Sequence, residues 1–202
     1  MRGWTKSIST AHSIGATSAG RPACRGNAAG KFLEAGRAVM EKECLKLQKG
    51  ITRSLVRQME SLLSRDDWMI TNLANGSALL MDEIDGINWA GFYLLRENAL
   101  VLGPFQGKPA CTRIPAAKGV CGCAAAENRT LRVPDTGAFP GYISCDGATR
   151  SEIVVPLHNE NGGVIGVMDL DSDLPDRFSE EDQHILEETA GAVERAIAGV
   201  PE

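Results

Sequence analysis

The residues with the widest choice of chemistry in this 202-residue chain are its six cysteines, Cys24, Cys44, Cys111, Cys121, Cys123 and Cys145. Four of them fall in one stretch rich in Gly and Pro, residues 103–150. Zinc sites favour Cys-x2-Cys pairs or a nearby His. Here the tightest spacing is Cys121-Gly-Cys123 and no His lies between Cys111 and Cys145, so no metal is expected. Thiol redox chemistry needs an exposed thiolate and a second thiol within reach, and loop-borne Cys111, Cys121 and Cys145 would supply both. Core filling is the third reading, for Cys123 beside a run of alanines and for Cys44 on a helix. Spacing alone leaves the redox and packing readings open.

A second group is acidic. Asp169 and Asp171 lie two apart, on one face of a strand that extends so far, and Glu152 begins the preceding strand. Antiparallel pairing would bring the three carboxyls together, where they can grip an ammonium group, and one with a raised pKa can act as a general acid. The competing reading is a solvated strand end. Trp89 and Tyr93, four apart on their own strand, share a face and offer an apolar wall. His158 in a turn and His184 on a helix are expected at the surface.

The elements that must hold these groups are readable from periodicity. Leu45, Ile51, Leu55, Met59, Leu62 and Leu63 recur at helical spacing. A second helix is predicted over 67–82, with Asp66 or Asp67 as N-cap and Leu73, Leu80 and Met81 inward. Residues 89–95 and 100–102 flank Arg96-Glu-Asn98 as a hairpin, and 152–157 and 164–170 form another around His158-Asn-Glu-Asn-Gly-Gly163. Ser179-Glu-Glu-Asp182 is a near capping box before a helix with Ile185, Leu186, Thr189, Val193 and Ile197 on one stripe. A central, mostly antiparallel sheet between helices from the two chain ends gives a single α/β (α+β) domain with α/β/α layering.

Composition bounds the function. The chain is 43% hydrophobic and 23% charged, with a net charge of −5. Residues 1–33 hold five basic side chains and no acid, so the remainder carries −10. An acidic body disfavours nucleic acid as partner and fits a small cationic or zwitterionic ligand. No stretch of about 18 apolar residues and no secretory leader are evident, so no membrane is expected and a reducing, cytoplasmic setting follows. That setting argues against a structural disulfide framework. Residues 1–39 read as a disordered basic tail, an organelle-targeting segment or residues upstream of a natural start at Met40, and 40–202 as the catalytic domain.

Several strings then resemble one family: Gly103-Pro-Phe-Gln-Gly-Lys-Pro-Ala-Cys-Thr-Arg-Ile-Pro115, Lys118-Gly-Val-Cys-Gly122, Phe139-Pro-Gly-Tyr-Ile-Ser-Cys-Asp146 and Arg150-Ser-Glu-Ile-Val-Val-Pro156. With Asn88-Trp-Ala-Gly-Phe-Tyr93 and Met168-Asp-Leu-Asp-Ser172, they are similar to the free methionine-(R)-sulfoxide reductases, which are built on a GAF domain. The resemblance covers about 45–197. It implies that Cys145 is the nucleophile, Cys111 the resolving thiol and Cys121 an auxiliary thiol. It further implies that Glu152, Asp169 and Asp171 are pocket carboxylates and that Trp89 and Tyr93 form the aromatic wall. Thioredoxin as reductant, free methionine-R-sulfoxide as substrate, no bound cofactor and a homodimer are part of the same implication. A non-catalytic GAF ligand-binding or thiol redox-sensor domain is the alternative. Cys123 and the basic N-terminus depart from the family pattern.

Overall fold

The computed structural model describes residues 50–145 and 147–198. The 1–39 tail, Cys24, Cys44 and the helical reading of Leu45 lie outside them.

Helix α1 (Ser54–Leu62) and helix α2 (Met69–Glu83) precede a six-stranded sheet. Its strands are β1 (Trp89–Arg96), β2 (Ala99–Gly107), β3 (Arg113–Pro115), β4 (Leu131–Val133), β5 (Ser151–His158) and β6 (Val164–Ser172). Helix α3 (Gly119–Glu127) lies between β3 and β4, and helix α4 (Glu180–Ile197) closes the fold. The sheet order is β3-β2-β1-β6-β5-β4, and each neighbouring pair is antiparallel. Both expected hairpins form. The β1–β2 turn is the residue pair Glu97 and Asn98, both with positive φ, which matches the right-handed twist of the flanking strands.

Alternation along the strands divides the sheet into two faces. Ala90, Phe92, Ile153, Val155, Leu157, Met168 and Leu170 point to one side, where Leu55, Met59, Leu73, Leu80, Ile185, Leu186 and Val193 cover them. Helices α1, α2 and α4 therefore share one face. The expected single α+β domain with a central antiparallel sheet is present, but the sheet does not lie between the helices from the two chain ends: both sets bury their apolar stripes against the same face. The other face carries Trp89, Tyr93, Val154 and Val167 and packs against Val120, Cys121 and Ala124 of α3.

Helix α4 is fixed at its start by a full capping box. Ser179 Oγ accepts from the Asp182 amide, and Asp182 Oδ2 accepts from the Ser179 amide. Asp182 is itself buried, paired with buried Arg177 at 3.3 Å, and its other oxygen accepts from the Ile51 amide at 2.7 Å. One carboxylate thus joins the helix start to the segment before α1, and Ile51 is buried there although it precedes the helix. The five stripe residues of α4 are all buried.

Two expected details of the scaffold are corrected. Helix α2 starts at Met69 with Trp68 as N-cap and no side-chain cap, whereas Asp66 and Asp67 sit in the preceding turn, where the Asp67 amide bonds Ser64 O. Asn72 organises that turn by bonding both the amide and the carbonyl of Ser64. His158 ends β5 instead of lying in the turn and is half-buried, with its ring nitrogens 2.7 Å from Glu194 Oε1 and 2.6 Å from Asn128 Oδ1. His184 is exposed as expected.

Candidate active site

Register assembles the acids. Glu152 on β5 pairs with Asp171 on β6, which pairs with Trp89 on β1; one step on, Val154, Asp169 and Gly91 form the next row. All six residues face the side opposite the main core, because directly opposed residues of paired strands point the same way. Glu152 and Asp169 are buried and Asp171 is half-buried. The convergence expected of the three carboxyls is what this register produces, since β6 continues through Ser172.

Gly91 leaves room for the aromatic wall. A Cβ there would run into Phe105 Cβ and lie 2.8 Å from the Trp89 ring. Without it, Trp89 stacks on Phe105 at 5.3 Å and on Tyr93 at 5.9 Å between centroids. Both polar handles are used. Trp89 Nε1 donates to Lys108 O, and the Tyr93 hydroxyl donates to Cys111 O at 3.1 Å. Tyr93 is therefore wall and tether at once, fixing the β2–β3 connection that carries Cys111.

Cys111 and Cys145 are joined in a disulfide with a Cα–Cα distance of 5.4 Å across 34 residues of chain. Cys121 is a free thiol, and here the sequence expectation is corrected. It is not loop-borne but sits in the first turn of α3, buried, with its Sγ donating to Glu152 Oε1 at 3.7 Å. The helix escaped the periodicity reading because Gly119-Val-Cys-Gly-Cys-Ala-Ala-Ala126 contains almost no polar–apolar contrast. Its small residues serve a close approach: a Cβ on Gly122 would lie 2.7 Å from Pro115 O, and Gly119 opens the helix at φ +61 against Ile143. Cys123 is free and half-buried in the same packing cluster, as the core-filling reading has it.

These groups enclose a cavity of about 30 Å3, lined on the acid side by Glu152, Asp169 and Asp171 and on the thiol side by Cys121 and Cys145. Trp89, Tyr93 and Tyr142 complete its walls. It has room for a few waters. A larger open groove lined by Leu94, His158, Val164 and Ile197 contains none of the thiols or the three acids.

Burial dominates the electrostatics. Desolvation, then the charges of Asp169 and Asp171, push the Glu152 carboxyl well above the usual range, which favours its protonated form. Desolvation raises Asp169 to about 7, against opposing hydrogen bonds from Cys121 and Glu152. Cys121 is pushed up by burial first and by the neighbouring acids second, which keeps it a thiol. Tyr93 and Tyr142 are raised by the same two causes and remain neutral donors. Sequence reasoning misses Tyr142, for which the available signal is an aromatic three residues before Cys145.

Residues 50–197 match the GAF domain family model. The free methionine-R-sulfoxide reductase of Escherichia coli is 47% identical over 144 residues, spanning 71% of this chain and 87% of that protein. The chain belongs to the free methionine-R-sulfoxide reductase family of GAF domains. Solved structures of this reductase family agree. The reduced-form fRMsr of Staphylococcus aureus is 46% identical with a TM-score of 0.71, covering 75% of this chain and 98% of that one. The free methionine-R-sulfoxide reductase of Neisseria meningitidis, solved with its substrate, is 44% identical with a TM-score of 0.68, covering 72% of this chain and 87% of that one. Membership in this reductase family makes the chain an oxidoreductase, built as a GAF domain of α+β class.

Among the described residues no helix is long and apolar enough to cross a membrane. The one group of acids and thiols among them close enough to share a cation is Cys121, Glu152 and Asp169.

Proposed function

We propose that the protein reduces free methionine-R-sulfoxide to methionine through a thiol relay. The observation that carries this reading is the Cys111–Cys145 disulfide, whose Cys145 lines the same cavity as the carboxyls of Glu152, Asp169 and Asp171. In the reduced enzyme, the Cys145 thiolate attacks the sulfoxide sulfur. Glu152, whose burial and acidic neighbours favour the protonated carboxyl, donates to the oxygen, which would otherwise leave poorly. The oxygen passes to Cys145 as sulfenic acid and methionine departs. Cys111 then attacks the sulfenic sulfur, water leaves, and the disulfide results. Cys121 serves as an auxiliary thiol that can enter the relay. Thioredoxin reopens the disulfide by exchange, supplying the two electrons that the sulfoxide consumed.

Substrate recognition uses the same walls. Asp169 and Asp171 pair with the ammonium group, Trp89 and Tyr93 flank the side chain, and backbone amides of residues 141–145 receive the carboxylate. A peptide-bound residue lacks the free termini, and burying its unpaired amides costs about 1–3 kcal/mol each. A reducing, cytoplasmic setting and a homodimeric assembly complete the proposal.

The deciding measurement follows NADPH in a mixture of the full chain, thioredoxin, thioredoxin reductase and free methionine-R-sulfoxide. Sulfoxide-dependent consumption is expected, and it vanishes in Cys145→Ser. Cys111→Ser completes one turnover and then stalls. NADPH consumption that Cys145→Ser retains would remove the nucleophile, and no consumption by the unaltered chain would leave a binding or redox-sensing GAF domain.

A further inference from the structure

We propose that Cys121, Glu152 and Asp169 form a binding site for a thiophilic divalent cation of the zinc class, and that the cation and the sulfoxide exclude one another. One donor atom from each residue, the Cys121 sulfur and a carboxylate oxygen from each acid, lies within 4.8 Å of the others, and all three residues are buried. The Cys121 Sγ to Glu152 Oε1 separation is 3.7 Å. A tetrahedral ion with Zn–S near 2.3 Å and Zn–O near 2.1 Å holds its sulfur and oxygen ligands about 3.6 Å apart. The Cys121–Glu152 edge is therefore already close to the length that such an ion imposes, and Asp169 offers its oxygen within 4.8 Å of both.

A separate observation points to a ligand. Asp169 is 5% exposed and lines the cavity, yet its Oδ1 has no hydrogen-bond partner. Buried carboxylate oxygens are ordinarily satisfied, and a cation in the trio would satisfy this one. Three separate elements, α3, β5 and β6, deliver the donors, so the set is fixed by the scaffold. Three protein ligands leave a fourth position facing the cavity, where an exchangeable water completes the tetrahedron. On binding, the Cys121 thiol proton and any carboxyl proton pass to solvent, and no electron moves. Spacing rules overlook such a site because 31 residues separate Cys121 from Glu152.

Binding itself does not depend on the proposed reductase activity; the mutual exclusion does, because Glu152 and Asp169 belong to both sites. The test titrates Cd2+ into the full chain in its Cys111–Cys145 disulfide form, without sulfoxide, and follows thiolate-to-metal charge-transfer absorption. One equivalent is expected to develop the band. Cys121→Ser abolishes it, Glu152→Gln and Asp169→Asn each weaken binding at least tenfold, and Cys123→Ser and Cys24→Ser/Cys44→Ser preserve it. Circular dichroism checks the fold of every variant, and the two carboxyl variants decide the matter if Cys121→Ser misfolds. A band that persists in Cys121→Ser, wild-type affinity in both carboxyl variants, or no band in the unaltered chain overturns the site. In turnover assays, Zn2+ should raise the KM for the sulfoxide at constant kcat; an unchanged KM at saturating Zn2+ overturns the exclusion.

Discussion

At the scale of single residues, the sheet face holds acids in a state that costs stability. Burial raises the Asp169 carboxyl to about 7 in the folded protein, from 3.8 as a free side chain. The folded state thus keeps a proton that the unfolded chain releases between those values, and stability falls as pH rises through that window. Asp169→Asn stays neutral throughout. Thermal or urea unfolding should find the variant more stable than wild type at pH 8 by up to about 4 kcal/mol, with the difference gone at pH 4. Its affinity for the sulfoxide should drop over the same comparison, the usual exchange of stability for function at a site. Equal stability gains at both pH values would show that the Asp169 charge is not the cause.

At the scale of elements, α3 sets the position of Cys121 by its approach to β3. Gly122→Ala places a methyl 2.7 Å from Pro115 O, a backbone atom that cannot swing aside. Overpacking of this kind costs about 1–3 kcal/mol, and the helix must lift off the sheet. Denaturant midpoints should fall accordingly, and the Cys121 thiol should react faster with a maleimide than in wild type. The same helix marks where sequence reasoning lost its footing. Strands β1, β5 and β6 are legible as apolar runs bounded by turn residues, because both faces of the sheet are buried there, and from them the Glu152, Asp169 and Asp171 cluster follows. Strands β3 and β4 are three residues each, too short to alternate. The continuation of β2 through Gly103 and Pro104 runs against strand propensity; Gly103 is required there because a Cβ would sit 2.9 Å from Phe92 O. Cys121 was named as a thiol of interest, but its burial against Glu152 depends on tertiary contact that no local pattern encodes.

At the scale of the whole molecule, the sheet separates support from chemistry. Its helix-covered face holds the larger core, and Asp182 anchors that side through Arg177, Ser179 and Ile51. Asp182→Ala leaves Arg177 buried without its partner, so unfolding should show a loss of about 3–5 kcal/mol, while kcat per folded molecule stays near wild type. A loss of kcat in the fully folded variant would mean that the two faces are coupled. The stack of Trp89 on Tyr93 and Phe105 has an optical consequence. Of the three tryptophans, Trp68 is exposed, Trp4 is outside the described residues, and Trp89 borders the same cavity as Cys145. A disulfide quenches a nearby excited indole by accepting its electron, and a dithiol does so far less. In Trp4→Phe/Trp68→Phe, emission should brighten when the disulfide is reduced and dim as each equivalent of sulfoxide is consumed, so the molecule carries its own fluorescent record of its oxidation state.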